Sequence, residues 1–149
     1  MANIIQLRKG LDIRLNGAAA HEKMTVKSNG KYCLCPDDFT GVVPKVVVKE
    51  GDKVKAGDAL FINKNFPRVK FASPVSGVVT AVIRGDRRKV LGVSVSADSE
   101  QEYVDFGKKD VTTLSGAEVK ECLLEAGLFG FIDQLPYAVS TNDSTTPKA

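Results

Sequence analysis

The apolar residues of this chain fall in short β-branched runs broken by Gly-Asp pairs. The densest part is Val46-Val47-Val48-Lys49-Glu50-Gly51-Asp52-Lys53-Val54-Lys55-Ala56-Gly57-Asp58-Ala59-Leu60-Phe61. Val, Ile and Phe suit a pleated, half-buried backbone. Glycine supplies positive φ, and aspartate supplies a local side-chain bond to the backbone. The pattern predicts short strands joined by tight turns, with Gly51, Gly57, Gly77 and Gly85 as the turn glycines. The pattern also returns along the chain. Gly41-Val42-Val43 is echoed by Gly77-Val78-Val79, Val46-Val47 by Val82-Ile83 and Val54 by Val90, at one constant offset. Gly51-Asp52 is echoed by Gly85-Asp86 with a slip in register. Two tandem strand-turn-strand units sharing one buried face would give this repeat, because a small β unit cannot bury its own apolar side. Any Val- and Gly-rich β chain also aligns with itself to some degree.

Other elements flank this core. Leu11 to Leu15 alternate strictly between the turn signals Gly10 and Asn16-Gly17, which predicts a half-buried strand. Residues 24–35 hold one or two more strands around Ser28-Asn29-Gly30-Lys31. Pro74 cannot donate to a ladder and belongs at an edge or a strand start. Ala97 to Lys109 is polar with scattered aromatics and reads as an extended connection. Ser115-Gly116-Ala117-Glu118 fits a capping box, in which the serine hydroxyl and the glutamate carboxylate each accept one otherwise unpaired backbone N–H. Val119, Leu123, Leu124 and Ala126 follow at helical spacing, and Gly127 sits where a helix-ending glycine belongs. A helix over 115–127 follows. Leu128 to Tyr137 is dense in apolar and aromatic groups, and Ser140 to Ala149 is Ser/Thr/Asn-rich with the composition of a disordered tail. The predicted layout is N-terminal strands packing on the barrel (1–39), a β core (40–97), a linker and helix (98–139) and a tail (140–149).

Composition narrows the class. A hydrophobic fraction of 43% with 26% charged residues is ordinary for a globular protein. A net charge of +3, spread along 149 residues, gives no nucleic-acid signature. No apolar run approaches the roughly 20 residues of a membrane helix, and the N-terminus lacks a secretory signal pattern. A cytoplasmic setting is the expectation. Cys33 and Cys35 share one strand face, while Cys122 lies in the predicted helix. The odd count and the missing Cys-x-x-Cys point to reduced thiols rather than a metal site or a disulfide. A free-standing redox enzyme using Cys33 and Cys35 is one alternative function. His21 has no partner for general-base work nearby and reads as a surface residue. Arg84-Gly85-Asp86-Arg87-Arg88-Lys89 is a charged turn, suited to solvent or to an anion or acidic partner. No Gly-x-Gly-x-x-Gly follows a strand, and no residue stands out as catalytic, cofactor-binding or metal-ligating.

Two stretches carry a resemblance. Glu50-Gly51-Asp52-Lys53-Val54-Lys55-Ala56-Gly57-Asp58-Ala59-Leu60 and Ala72-Ser73-Pro74-Val75-Ser76-Gly77-Val78-Val79 resemble the biotinyl/lipoyl-type barrel-sandwich hybrid. The resemblance implies a mainly β barrel-sandwich hybrid, here with additional N-terminal strands and a C-terminal helical segment. Carrier domains of that type hold a lysine at a hairpin tip. Here the tip falls near Phe66-Pro67-Arg68, with Lys64 and Lys70 off it, so a biotinyl/lipoyl-type carrier stands only as an alternative function. Lys9-Gly10-Leu11-Asp12-Ile13, the run from Pro67 to Gly77, Arg84-Gly85 before Arg88-Lys89-Val90-Leu91, and Leu123 to Phe129 are together similar to the A subunit of the Na+-translocating NADH:quinone reductase. The C subunit of the related Rnf complex shares the opening domain, and its N-terminal domain is the near alternative. The reductase family is about three times longer, on the order of three domains. The chain then reads as an N-terminal fragment, with residues 144–149 leading to a missing α/β domain.

The resemblance implies a peripheral subunit on the cytoplasmic face of the bacterial inner membrane. Its complex would pass electrons from NADH to quinone and move Na+. Ubiquinone or menaquinone, NADH, flavins and an iron–sulfur centre are implied for the whole complex, with none held by this fragment. The implied partners are the other subunits, and membrane association would come only through them. Phe129, Phe131, Gln134 and Tyr137 are the candidate quinone or partner contacts, because exposed contiguous apolar surface marks interaction sites.

Overall fold

Two tight turns of the same composition set the core. In Lys49-Glu50-Gly51-Asp52 the aspartate carboxylate accepts the Lys49 N–H at 2.7 Å, and the Asp52 N–H returns to the Lys49 carbonyl at 3.1 Å. Lys55-Ala56-Gly57-Asp58 repeats the device, with distances of 2.7 and 3.0 Å. Each turn needs positive φ at its third residue, and Gly51 and Gly57 lie at +90° and +105°. Both are tied to the barrel: Gly51 N–H donates to Val79 O at 2.8 Å and Gly57 N–H to Ser73 O at 2.9 Å.

These turns sit among strands in a computed structural model that describes residues 16–25 and 29–145. The strands are β1 (Lys31–Leu34), β2 (Pro44–Val46), β3 (Lys53–Val54), β4 (Ala59–Asn63), β5 (Lys70–Ala72), β6 (Gly77–Arg84), β7 (Val90–Ala97), β8 (Asp133–Gln134) and β9 (Val139–Ser140). One sheet has the order β1-β7-β6-β3, a second β2-β4-β5, and β8 pairs with β9. The named pairs are all antiparallel. The two larger sheets close over Leu60, Phe61, Val69, Phe71, Val79, Val93 and Val95, each 0–1% exposed. Phe61 and Phe71 are cross-strand partners, and their rings stack 4.8 Å apart. The strand predicted over Leu11–Leu15 lies outside the described residues.

The offset repeat maps β2 onto β6 and β3 onto β7, but not turn onto turn. Gly77 and Gly85, expected as turn glycines, are different. Gly77 opens β6, where an added Cβ would stand 1.9 Å from the Ser96 carbonyl oxygen. Close backbone approach, not a bend, requires glycine there. Gly85 is extended at φ −99°, and positive φ falls instead on Arg87 and Arg88, at 52° and 63°.

The single α-helix among the described residues, α1 (Gly116–Glu125), has the expected capping box. Ser115 Oγ accepts the Glu118 N–H at 3.4 Å, and Glu118 Oε2 accepts the Ser115 N–H at 2.8 Å. Gly127, at φ +70°, closes the other end: its N–H bonds Leu124 O, and the Leu128 N–H bonds Leu123 O. That pair of bonds satisfies two of the last carbonyls. Leu124, 3% exposed, joins the barrel core from this helix. The connection before it is extended as expected, and it is tied to the barrel: Ala56 exchanges backbone bonds with Glu102 and Val104, both 2.9 Å, and Ser76 Oγ accepts the Glu102 N–H at 2.8 Å.

The tail differs from its expectation as far as Thr145. Ser140 lies in β9, and Ser140 and Thr141 are 6% and 1% exposed. Their hydroxyls donate to the Gly130 and Ile132 carbonyls, and the Ser140 N–H donates to Thr40 O at 3.0 Å. Polar composition suggests disorder, but these residues satisfy backbone groups that would otherwise be buried unpaired. Residues 146–149 lie outside the described residues.

Candidate interaction surface

Three features of the sequence suggest chemistry: the hairpin apex, the cysteine pair and the Leu128–Tyr137 segment. The apex between β4 and β5 is formed by Phe66, Pro67 and Arg68, closed by Val69 N–H to Phe66 O at 2.9 Å and Asn63 N–H to Val69 O at 2.9 Å. No lysine stands there. Lys64 is on the approach, with its N–H bonded to Val43 O at 2.7 Å, and Lys70 is already in β5. Arg68 forms an ion pair with Glu121 of α1, so the apex rests against the helix. A carrier needs a free apical lysine that can swing between active sites, and neither condition is met.

The cysteine pair is set by β1 and the turn after it, and Cys35 is not an activated thiol. Cys33 and Cys35 place their sulfurs 4.0 Å apart over Gly92, whose missing Cβ makes room for Cys33 Sγ. Burial pushes the Cys35 thiol up, and the bond to Cys33 and the nearby Asp38 and Asp37 carboxylates push the same way. A redox nucleophile needs the opposite, a lowered thiol pKa. His21 is exposed. Among the described residues no group of three or more His, Cys, Asp or Glu is placed to hold a metal ion. No described helix is long and apolar enough to cross a membrane.

The Leu128–Tyr137 segment divides in two. A 3₁₀ turn over Phe129–Phe131 sends Phe129 inward, where it is 2% exposed and joins the core, with Lys120 Nζ 5.5 Å from its ring centre. Gly130 lies so close to Phe71 that an added Cβ would be 2.7 Å from the ring. Phe129 is therefore not a contact residue: α1 delivers it directly onto β5. Phe131 stays 46% exposed and packs edge-on against Phe39, ring centres 5.0 Å apart. Phe39 in turn lies 4.4 Å from Phe71. Beyond it, Gln134 is half-buried in β8, while Leu135 and Tyr137 project at 85% and 82% exposure. Leu128 is 49% exposed. The segment thus presents four exposed apolar side chains, Leu128, Phe131, Leu135 and Tyr137, of which Phe131 rests on the aromatic base of Phe39 and Phe71. Phe39 escapes sequence reasoning, because a lone aromatic in a loop carries no periodic signal.

A cleft of about 280 Å³ lies elsewhere, between α1 and the 106–114 connection, lined by Phe106, Val111, Leu114, Val119, Leu123 and Ala126 among others. In sequence these residues are divided between linker and helix face, and only the tertiary fold brings them together.

Two curled antiparallel sheets, a docked hairpin apex without a lysine and a helix capping one side define a barrel-sandwich hybrid. A family described as the NqrA N-terminal barrel-sandwich hybrid domain matches residues 5–98, and the chain belongs to that family. The chain is 29% identical over 148 residues to the A subunit of the Na(+)-translocating NADH-quinone reductase of Pseudomonas aeruginosa strain UCBPP-PA14, covering 98% of this chain and 33% of that protein. The corresponding protein of Hahella chejuensis is 34% identical over 137 residues, 91% of this chain and 31% of the relative. That of Photorhabdus laumondii is 31% identical over 148 residues, 98% and 33%. The chain spans about a third of the length of the curated relatives it matches.

Proposed function

We propose that this domain is the N-terminal scaffold and docking module of a peripheral subunit of a sodium-pumping NADH:quinone reductase. Its site of action is the cytoplasmic face of the bacterial inner membrane, and it reaches that membrane through other subunits. The reading rests on family membership together with the exposed Leu128, Phe131, Leu135 and Tyr137 surface. Electron transfer from NADH to quinone, its flavins and iron–sulfur centre, and Na+ movement belong to the rest of the assembly; this domain contributes no catalytic group.

The exposed surface favours a protein partner over a quinone. A quinone ring is held by enclosure in a concave apolar site. Leu135 and Tyr137 project into solvent on a two-stranded ribbon and enclose nothing by themselves. Large rigid aromatics on a projecting element are what a protein interface uses as anchors.

The test uses the full-length protein with Leu135→Ser and Tyr137→Ser. Both side chains are more than four-fifths exposed, so melting should be unchanged. Co-purification with the other subunits should fall, and NADH-driven quinone reduction should fall with it. Normal assembly of the double variant would refute the docking role. Lost quinone-analogue binding with normal assembly would assign the surface to quinone instead.

A further inference from the structure

We propose that the β6–β7 hairpin tip, through Arg87 and Arg88, is a second docking element that engages a carboxylate-rich surface on another protein subunit. It rests on the reading of the chain as one subunit of an assembly. The turn runs from Asp86 to Lys89, closed by Lys89 N–H to Asp86 O at 3.1 Å and flanked by Gly85 N–H to Lys89 O at 2.8 Å. Its two central residues are both left-handed, Arg87 at φ 52°, ψ 30° and Arg88 at φ 63°. Consecutive left-handed residues belong to tight hairpin turns, where Asn-Gly fits without strain. Bulky side chains are rare there and are disfavoured at both positions. Backbone strain held at two adjacent surface residues points to a use for those side chains beyond the turn.

Charge points the same way. The six residues Arg84 to Lys89 hold four cations and one carboxylate, as much net charge as the +3 of the whole chain, so the remainder is neutral overall. Lys89 is occupied by Asp37 at 2.7 Å and Arg84 bonds the Arg88 carbonyl at 3.4 Å. Among the described residues, Arg87 and Arg88 form no ion pair, and both are exposed. Exposed Ile83 and Leu91 flank the tip, giving an apolar margin to a charged centre. A lipid surface reads net charge and would be served by cations in any relaxed turn. Two adjacent guanidinium forks, launched from one tight turn in set Cα–Cβ directions, suit carboxylates presented by a folded partner, which they can bind in bidentate fashion.

The experiment compares the full-length wild-type protein with Arg87→Asn/Arg88→Gly. Each is titrated onto membranes carrying the other reductase subunits, at low and high salt, and onto protein-free vesicles of phosphatidylethanolamine and phosphatidylglycerol. The variant should melt higher, by about 2–8 °C, because the turn is relieved. It should bind the subunit-bearing membranes about tenfold more weakly at low salt, with the gap closing as salt rises. Neither protein should bind the vesicles. Equal binding of the two proteins, or an unraised melting point, overturns the inference. Wild-type binding to protein-free vesicles that the variant loses assigns the tip to lipid and also overturns it. A wild type that fails to bind subunit-bearing membranes refutes membership of the assembly itself, which separates the two failures.

Discussion

Gly77→Ala isolates a steric requirement that turn logic misses. Gly77 does not have positive φ, so alanine meets no backbone penalty of its own. Its Cβ would instead lie 1.9 Å from Ser96 O, 2.8 Å from Ser96 C and 3.0 Å from Ala97 Cα. All three are main-chain atoms of β7, which cannot rotate away as a side chain can. The strands would have to part by roughly 1 Å to reach the closest distance real Cβ atoms tolerate. Gly77 pairs with Ala97 on one side and Val54 on the other, so both neighbours are strained. Overpacking of this kind costs about 1–3 kcal/mol. Loss of two adjacent ladder bonds adds about 1 kcal/mol each. A total of about 3–5 kcal/mol is a large part of the ~5–15 kcal/mol that holds a domain. At this chain length it lowers the melting midpoint by about 6–20 °C. Gly116→Ala is the control: nothing lies within 4 Å of its Cβ position, and alanine favours the first helical turn by up to ~1 kcal/mol. Thermal melts followed by circular dichroism read both. A Gly77→Ala midpoint within about 2 °C of wild type, judged against the ~2–4 °C per kcal/mol scale, would show that β6 and β7 do not approach as described.

The two turn glycines should separate by neighbourhood. Gly51→Ala, with open space around its Cβ position, should cost only the left-handed strain of about 1–2 kcal/mol, while Gly57→Ala also meets Phe106 and Val104 at 3.2 Å and should melt lower. Valine at either site should cost at least about 1 kcal/mol in urea titrations. Ser115→Ala removes half of the capping box and should destabilise by about 1 kcal/mol. The same box holds the Glu118 carboxyl below its usual range, first through the Ser115 backbone N–H and then through the Ser115 hydroxyl. Its contribution is therefore complete above the ordinary glutamate pKa of about 4.3 and is lost as pH falls through the lower folded value. Acid melts of wild type and Glu118→Gln, which mimics the protonated carboxyl, should converge as pH falls through that range, and parallel curves would refute the linkage. Phe71→Ala removes the ring shared by Phe39, Phe61 and Phe131 and should cost about 3–5 kcal/mol, with near-ultraviolet dichroism lost ahead of global unfolding at the Phe131 surface.

The sequence by itself determined the local devices. Gly-Asp turns, the capping box and the terminal Gly127 were legible because each is completed within about six residues by backbone conformation and short-range hydrogen bonds. The β-branched runs were legible because period and composition identify half-buried strands. The absence of a lysine at the Phe66-Pro67-Arg68 apex was also a sequence fact, and the structure adds only that Arg68 is held by Glu121. The tertiary structure alone decided matters that depend on what lies opposite. Gly77 and Gly51 look alike in sequence, yet one is glycine because another strand's carbonyl lies against it and the other because its own φ is +90°. Phe129 and Tyr137 belong to one apolar run, and only the turn after α1 buries the first and leaves the second in solvent. The polar tail is held through Thr141 because the Gly130 and Ile132 carbonyls accept the Ser140 and Thr141 hydroxyls, and Ile132 O also accepts the Thr141 N–H. Strain at Arg87 and Arg88 is likewise invisible in the string Arg-Gly-Asp-Arg-Arg-Lys, since glycine at position 85 suggests that it carries the turn. Register between β6 and β7 fixes where the chain reverses, and that register is set by burial of Val79 of β6 and Val93 and Val95 of β7 in the core.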